Sequence, residues 1–259
     1  KFSIIWNSSF KMTLEVCIRK SRVNMSEKTP NILCFDTALG GITIGLCLSD
    51  DKIISHHTET EREQASLLVP KIQEVLKEGE LSFEDLDAVA CTVGPGSFTG
   101  LRIGMTTAKT LGLSLEKPVI GLSTLDLIAQ HYSVKENMLI VLETKRKDFY
   151  AQYFDNDKNP LTEPFAGSAE DVLLKAPKGD LFVGGNATER FKSMTEELGV
   201  DMEHVNYMSE MGNIIPFIMT LMAKEYYDAG KYGDPIEPLY LRDADTSQPK
   251  NKPRKLASA

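Results

Sequence analysis

The sequence predicts an α/β protein of two lobes, each a mixed sheet covered by helices. Three observations point there: strand-like runs joined by tight turns, amphipathic helices alternating with later strands, and a second copy of that order in the latter half. The chain has 259 residues, 42% hydrophobic and 25% charged, enough for a sizeable core. Its 29 basic and 37 acidic side chains leave a formal charge of −8, so any contact with RNA is expected to run through a partner.

From Ile32, ILCFDTA reads as a strand, Leu39-Gly40-Gly41 as a turn, ITIGLCLSD as a second strand, Asp50-Asp51 as a turn and KIISHHTE as a third strand. Short turn signals between β-rich runs make this an antiparallel meander. SLLVPKIQEVLKEG is then a helix, with Leu68, Ile72, Val75 and Leu76 on one stripe and Gly79 as its stop. Pro70 is expected in its first turn or at a kink. Leu86 to Val93 follows as a buried strand, Ser97 to Leu115 as a second helix, and Pro118 to Leu122 as a strand feeding a helix after Ser123.

The second copy runs MLIVLET, a turn around Lys145–Lys147, DFYAQYFD, a turn at Asn156–Pro160, a helix near SAEDVLLKA, the strand LFVGG and a helix from Thr188. Both copies begin with an apolar strand ending in a carboxylate and a threonine, Asp36-Thr37 and Glu143-Thr144, which points to an internal duplication. IIPFIMTLMAKEYYDAG is a late apolar helix expected to pack back across the lobes. The expected division is an N-terminal extension over 1–29, a first lobe over 30–125 joined by the late helix at about 213–229, a second lobe over 126–212, and a disordered basic tail over 246–259. Met25 reads as a natural start, so residues 1–24 are expected to be upstream or non-native sequence.

Cys17, Cys34, Cys47 and Cys91 show no C-x-x-C spacing, and three lie in apolar runs, as expected of small core residues in a reducing compartment, the cytoplasm. No apolar run approaches the roughly 20 residues of a membrane span. His56, His57, His131 and His204 form no metal pair, and no Ser or Cys stands in a nucleophile context.

VGPGSFTGLRIG, from Val93 to Gly104, is the densest motif. It lacks the lysine of a Walker A loop, Thr99 replaces the third glycine of a dinucleotide fingerprint, and Ser97 is in no G-x-S-x-G elbow. Gly100, Gly104, Ala108 and Gly112 recur every fourth residue, a ridge of nearly bare backbone that predicts close approach by another element. The approaching element is a partner or the Leu68/Ile72/Val75 helix of the same lobe, or both, the two helices packing together and presenting a shared face to a partner. Asp36, Thr37 and Glu143 are candidates for a vestigial nucleotide site across a cleft, against the alternative that they cap the turns they end.

With these residues in view, the chain resembles the TsaB family over roughly Ile32 to Thr124. The most specific segment is TVGPGSFTGLRIG, which the family usually writes SVGPGSFTGLRIG, followed by TAKTLGLSLEKPVIGLSTLD; weaker matches are ILCFDTA, LETKRKDFYAQYF and PLYLRDAD. The resemblance implies a duplicated two-lobe fold of the actin/hexokinase/Hsp70 kind, ribonuclease H-like in each lobe. It also implies a subunit that does no chemistry itself, pairing with a TsaD-type paralogue that transfers threonylcarbamoyl to adenosine 37 of ANN-decoding tRNAs, with a TsaE-type small ATPase joining the complex. A homodimer is expected without the partner, and tRNA contact only through the complex. No tightly bound cofactor or metal is implied, ATP and Mg²⁺ being used by the partner subunits. The implied partner interface is the first two helices, here Leu68, Ile72, Val75, Gly100, Arg102, Gly104, Ala108, Leu111 and Gly112. Where catalytic paralogues carry His-x-x-x-His, this chain reads Glu63-Gln64-Ala65-Ser66-Leu67. The rival reading is a two-lobed ATPase or kinase holding Mg-ATP between Asp36 and Glu143.

Overall fold

The computed structural model describes residues 29–49, 52–60, 62–144, 146–200, 203–208, 214–233 and 235–242. The N-terminal extension up to residue 28, Cys17 and the basic tail lie outside the described residues. The first sheet is built from β1 (Ile32–Asp36), β2 (Ile42–Ser49), β3 (Lys52–Thr58), β4 (Ala88–Gly94) and β5 (Val119–Ser123), in the order β3-β2-β1-β4-β5. The second holds β6 (Asn137–Glu143), β7 (Phe149–Phe154), β8 (Phe165–Gly167), β9 (Leu181–Gly184) and β10 (Val205–Met208), in the order β8-β7-β6-β9-β10. Strand for strand the second order repeats the first, with the first three strands antiparallel and the last two parallel to the leading strand. This is the duplicated, two-lobe α/β arrangement that the repeat in the sequence predicts, and the actin/hexokinase/Hsp70 kind of fold that the resemblance implies.

The helices are α1 (Gln64–Glu78), α2 (Phe98–Leu115), α3 (Thr124–Ala129), α4 (Ala169–Leu173), α5 (Thr188–Glu197) and α6 (Pro216–Asp228). Both faces of β1 are buried because alternate side chains enter different cores. Leu33 and Phe35 meet Leu68, Ile72 and Val75 of α1 and Met105 and Ala108 of α2 on the outer side. Ile32 and Cys34 face the inner side, where Leu125 and Ile128 of α3, Met219 and Ala223 of α6, and Met138, Ile140 and Leu142 of β6 share one core between the sheets. A third core packs Val172 and Phe191 of α4 and α5 under the second sheet. The order of layers is thus helix, sheet, helix, sheet, helix.

Local signals explain the boundaries. Ser97 accepts the Gly100 N–H at 3.3 Å and starts α2; Ser123 caps α3 in the same way through Asp126. Pro70 stands seven residues into α1, beyond the first turn where one alternative had put it. Cys34, Cys47 and Cys91 are buried and in no disulfide among the described residues. The sequence reading omitted β8 and β10, which are three and four residues long. Among the described residues no helix is long and apolar enough to cross a membrane.

Candidate functional site

The C-terminal end of β1 leads into the turn 36–41, and the Val93–Gly104 motif closes over that turn. Asp36 Oδ1 accepts from the Thr92 hydroxyl at 2.5 Å and the Ala38 N–H at 2.9 Å, and Oδ2 accepts from the Leu39 N–H at 3.3 Å. Burial pushes the Asp36 carboxyl up from its ordinary value, with these hydrogen bonds pulling the other way. Every partner is a neighbour in the fold, so Asp36 caps the turn it ends. Thr37, also buried, donates its hydroxyl to the Gly100 carbonyl at 2.7 Å. The Ser97 N–H donates to the Ala38 carbonyl at 2.9 Å, and a Cβ at Gly96 would lie 2.8 Å from that of Ala38.

The glycine ridge therefore has an occupant within the chain. A Cβ at Gly100 would be driven into the Thr37 carbonyl oxygen, one at Gly104 would stand 2.7 Å from Thr37 Oγ1, and one at Gly112 would strike Val119. The glycines of the ridge admit the turn after β1 and the start of β5, while Ala108 shares the outer core with the Leu68/Ile72/Val75 stripe. That stripe, with Leu68 1%, Ile72 0%, Val75 0% and Ala108 0% exposed, serves the lobe's own core and presents nothing outward. The sequence showed which face approaches closely, but small residues at a fixed period fit an internal neighbour as well as an external one.

Of the residues expected at the interface, Arg102 is exposed on the side opposite the ridge, and Leu111 is half-buried on the ridge side, packed against the outer core of the first lobe. The outward side of α1 and α2 carries an open groove lined by Ala65, Phe98, Thr99, Arg102, Ile103 and Thr106. The Arg102 guanidinium lies 3.9 Å over the Phe98 ring, and the Tyr240 ring packs at 5.4 Å from it. Phe98, Val69 and Leu113 are 48%, 43% and 84% exposed, an apolar spread that the stripe reading missed because it lies off the buried face.

Glu143 ends β6 as Asp36 ends β1. Its Oε1 takes the Arg190 Nε–H at 2.8 Å, and Arg190 also donates to the Arg146 and Asp148 carbonyls while lying 3.9 Å over the Phe149 ring. The Asn186 side chain accepts the Glu143 N–H at 2.9 Å. Arg190, invisible as a site residue in the sequence, thus holds Glu143. Within the fold Asp36 is engaged on both oxygens, and Glu143 on Oε1 with its side chain 34% exposed. His56 pairs with Glu78 at 2.6 Å and His57 with Thr43 at 2.9 Å, and among the described residues no three His, Cys, Asp or Glu converge on one point.

A family model described as TsaD, tRNA N6-adenosine threonylcarbamoyltransferase, matches residues 52–198. An uncharacterised protein of Mycobacterium tuberculosis is 32% identical over 154 residues, 59% of this chain and 70% of its own length. The tRNA threonylcarbamoyladenosine biosynthesis protein TsaB of Escherichia coli is 26% identical over 225 residues, 82% of this chain and 94% of its own. Among solved structures, YeaZ from Pseudomonas aeruginosa superposes with a TM-score of 0.70 at 20% identity, over 82% of this chain and all of that one.

Proposed function

The chain belongs to the TsaB family, and from that premise we propose that it is a non-catalytic subunit of the machinery that forms N6-threonylcarbamoyladenosine at position 37 of ANN-decoding tRNAs. It pairs with a TsaD-type transferase, which carries the chemistry, and a TsaE-type ATPase joins them. The observation that carries the reading is the state of the two carboxylates. In a catalytic two-lobed ATPase the corresponding groups must be free to hold a metal-bound nucleotide, directly or through water. Here Asp36 is taken by Thr92, Ala38 and Leu39, and Glu143 by Arg190. What remains available is a surface.

That surface is the outward side of α1 and α2 around Phe98, Arg102 and Leu113. An arginine stacked on an exposed aromatic ring beside an open groove has the composition of a protein-binding anchor. Without the partner the same face serves a homodimer, so the two assemblies compete. tRNA is reached through the transferase, in keeping with the net charge of −8.

The test is to mix the purified chain with the TsaD-type protein of the same organism, follow association by light scattering, and assay tRNA threonylcarbamoylation with the ATPase present. A heteromer that modifies tRNA when neither protein does so alone is the expected result. Full modification without this chain, or saturable MgATP hydrolysis by the chain alone, overturns the proposal.

A further inference from the structure

The segment after α6 plays no part in the reading above, yet it ties the lobes together. Ile236 is 9% exposed, belongs to the outer core of the first lobe and lies against Gly121 of β5. Three residues on, the Leu239 N–H donates to the Val93 carbonyl at 2.7 Å, and the Leu239 carbonyl stands over Gly94. Tyr240 then packs on Phe98. Arg242 reaches the second lobe, where its guanidinium pairs with the Asp148 carboxylate in the turn between β6 and β7.

The receiving turn is held ready. The Thr144 hydroxyl donates to the Asp148 carboxylate at 2.7 Å and lies 2.8 Å from its carbonyl, and Arg190 donates to that carbonyl at 2.8 Å while gripping Glu143. At the other end, the 94–97 loop that the segment covers packs on Ala38, two residues past Asp36. Residues 236–242 therefore run from the Asp36 side to the Glu143 side of the mouth between the lobes. On the far side of that mouth the lobes share the apolar core that α3 and α6 fill. The Arg242 and Asp148 side chains are only 27% and 19% exposed, so salt screens this pair less than an open surface pair.

We propose that residues 236–242 form a clasp, closed by the Arg242–Asp148 ion pair, that sets the opening between the two lobes. Two lobes joined by one continuous core on one side and by a polar latch on the other make a hinge whose angle the latch fixes.

The experiment uses the full chain with spin labels at Glu84→Cys, exposed after α1 in the first lobe, and Leu174→Cys, 84% exposed in the second, in a Cys17→Ser background and diluted with unlabelled chain so that only distances within one chain are read; Cys34, Cys47 and Cys91 are buried. Pulsed electron resonance is expected to give one narrow distance distribution for the labelled parent. Arg242→Ala and Asp148→Asn each give a roughly twofold broader distribution with a longer mean. The exchanged pair, Arg242→Asp with Asp148→Arg, brings back the narrow one. Asp148→Asn keeps an acceptor for Thr144, so it decides the matter if Arg242→Ala does not fold. An unchanged distribution in the single variants that fold, or an exchanged pair as broad as they are, overturns the clasp.

Discussion

The Thr37 hydroxyl donates to the Gly100 carbonyl oxygen at 2.7 Å, while the Thr37 carbonyl oxygen fills the space that a Gly100 side chain would need. The two contacts dock the first turn of α2 on the turn after β1, backbone against backbone. Gly100→Ala forces one of them to move and is expected to cost about 1–3 kcal/mol or more by overpacking, read as a lowered thermal midpoint. An unchanged midpoint would show that the turn has room to yield.

Asp36→Ala tests the same turn from its other end. The substitution strands the Thr92 hydroxyl and the Ala38 and Leu39 N–H groups, at about 1–3 kcal/mol for each that finds no water. Loss of stability by denaturant titration is expected. A variant as stable as its parent would reopen Asp36 as a ligand-binding group.

Ile72 and Arg102 belong to the implied interface yet should behave oppositely. Ile72→Ala opens a cavity in a fully buried position and is expected to cost about 2–5 kcal/mol of stability. Arg102→Glu leaves stability within about 0.5 kcal/mol and weakens heteromer formation at least tenfold, by about 1.4 kcal/mol or more in binding. Arg102→Glu binding as tightly as the parent would remove the outward groove from the interface.

His131 makes stability depend on pH. Burial, with the charge of Lys158 adding to it, lowers its pKa from 6.5 to about 3, and its Nε2 accepts the Ile215 N–H at 3.2 Å. The unfolded chain takes up this proton below about pH 6.5 and the folded chain only near pH 3, so between those values unfolding binds a proton. Stability therefore falls as pH drops through the window, by up to about 1.4 kcal/mol per unit from this residue. Denaturant curves at neutral and mildly acid pH should show a shallower decline for His131→Gln than for the parent. Equal slopes would falsify the assignment.

The strand-turn-strand opening of each lobe, the helix expected from Ser97 and the Asp36/Glu143 parallel were legible because each rests on local chemistry: alternation, turn residues and the periodic pattern of a helix. Phe165–Gly167 and Val205–Met208 are too short to show a period, and only their places beside β7 and β9 make them strands. Arg190 was illegible for a related reason. Nothing within a few residues of it names Glu143, which is 47 positions away and meets it only after β6 and α5 are packed. The glycine ridge lay between these cases: its period gave the face, and the fold alone gave the neighbour.

The reciprocal placing of α3 and α6 bears on how the chain is made. Thr220 and the Pro216 carbonyl of α6 lie against Gly45 of β2, and Met219 and Ala223 cover the inner face of β1. On the ribosome, β1 and β2, which end at Asp36 and Ser49, emerge well before the helix that shelters them, which begins at Pro216. During that interval α3 is the only first-lobe helix on the inner side of Ile32 and Cys34, so the nascent first lobe is the stage at which a chaperone has most to hold. Translation speed through the second repeat, rather than through the first, sets how long that exposure lasts.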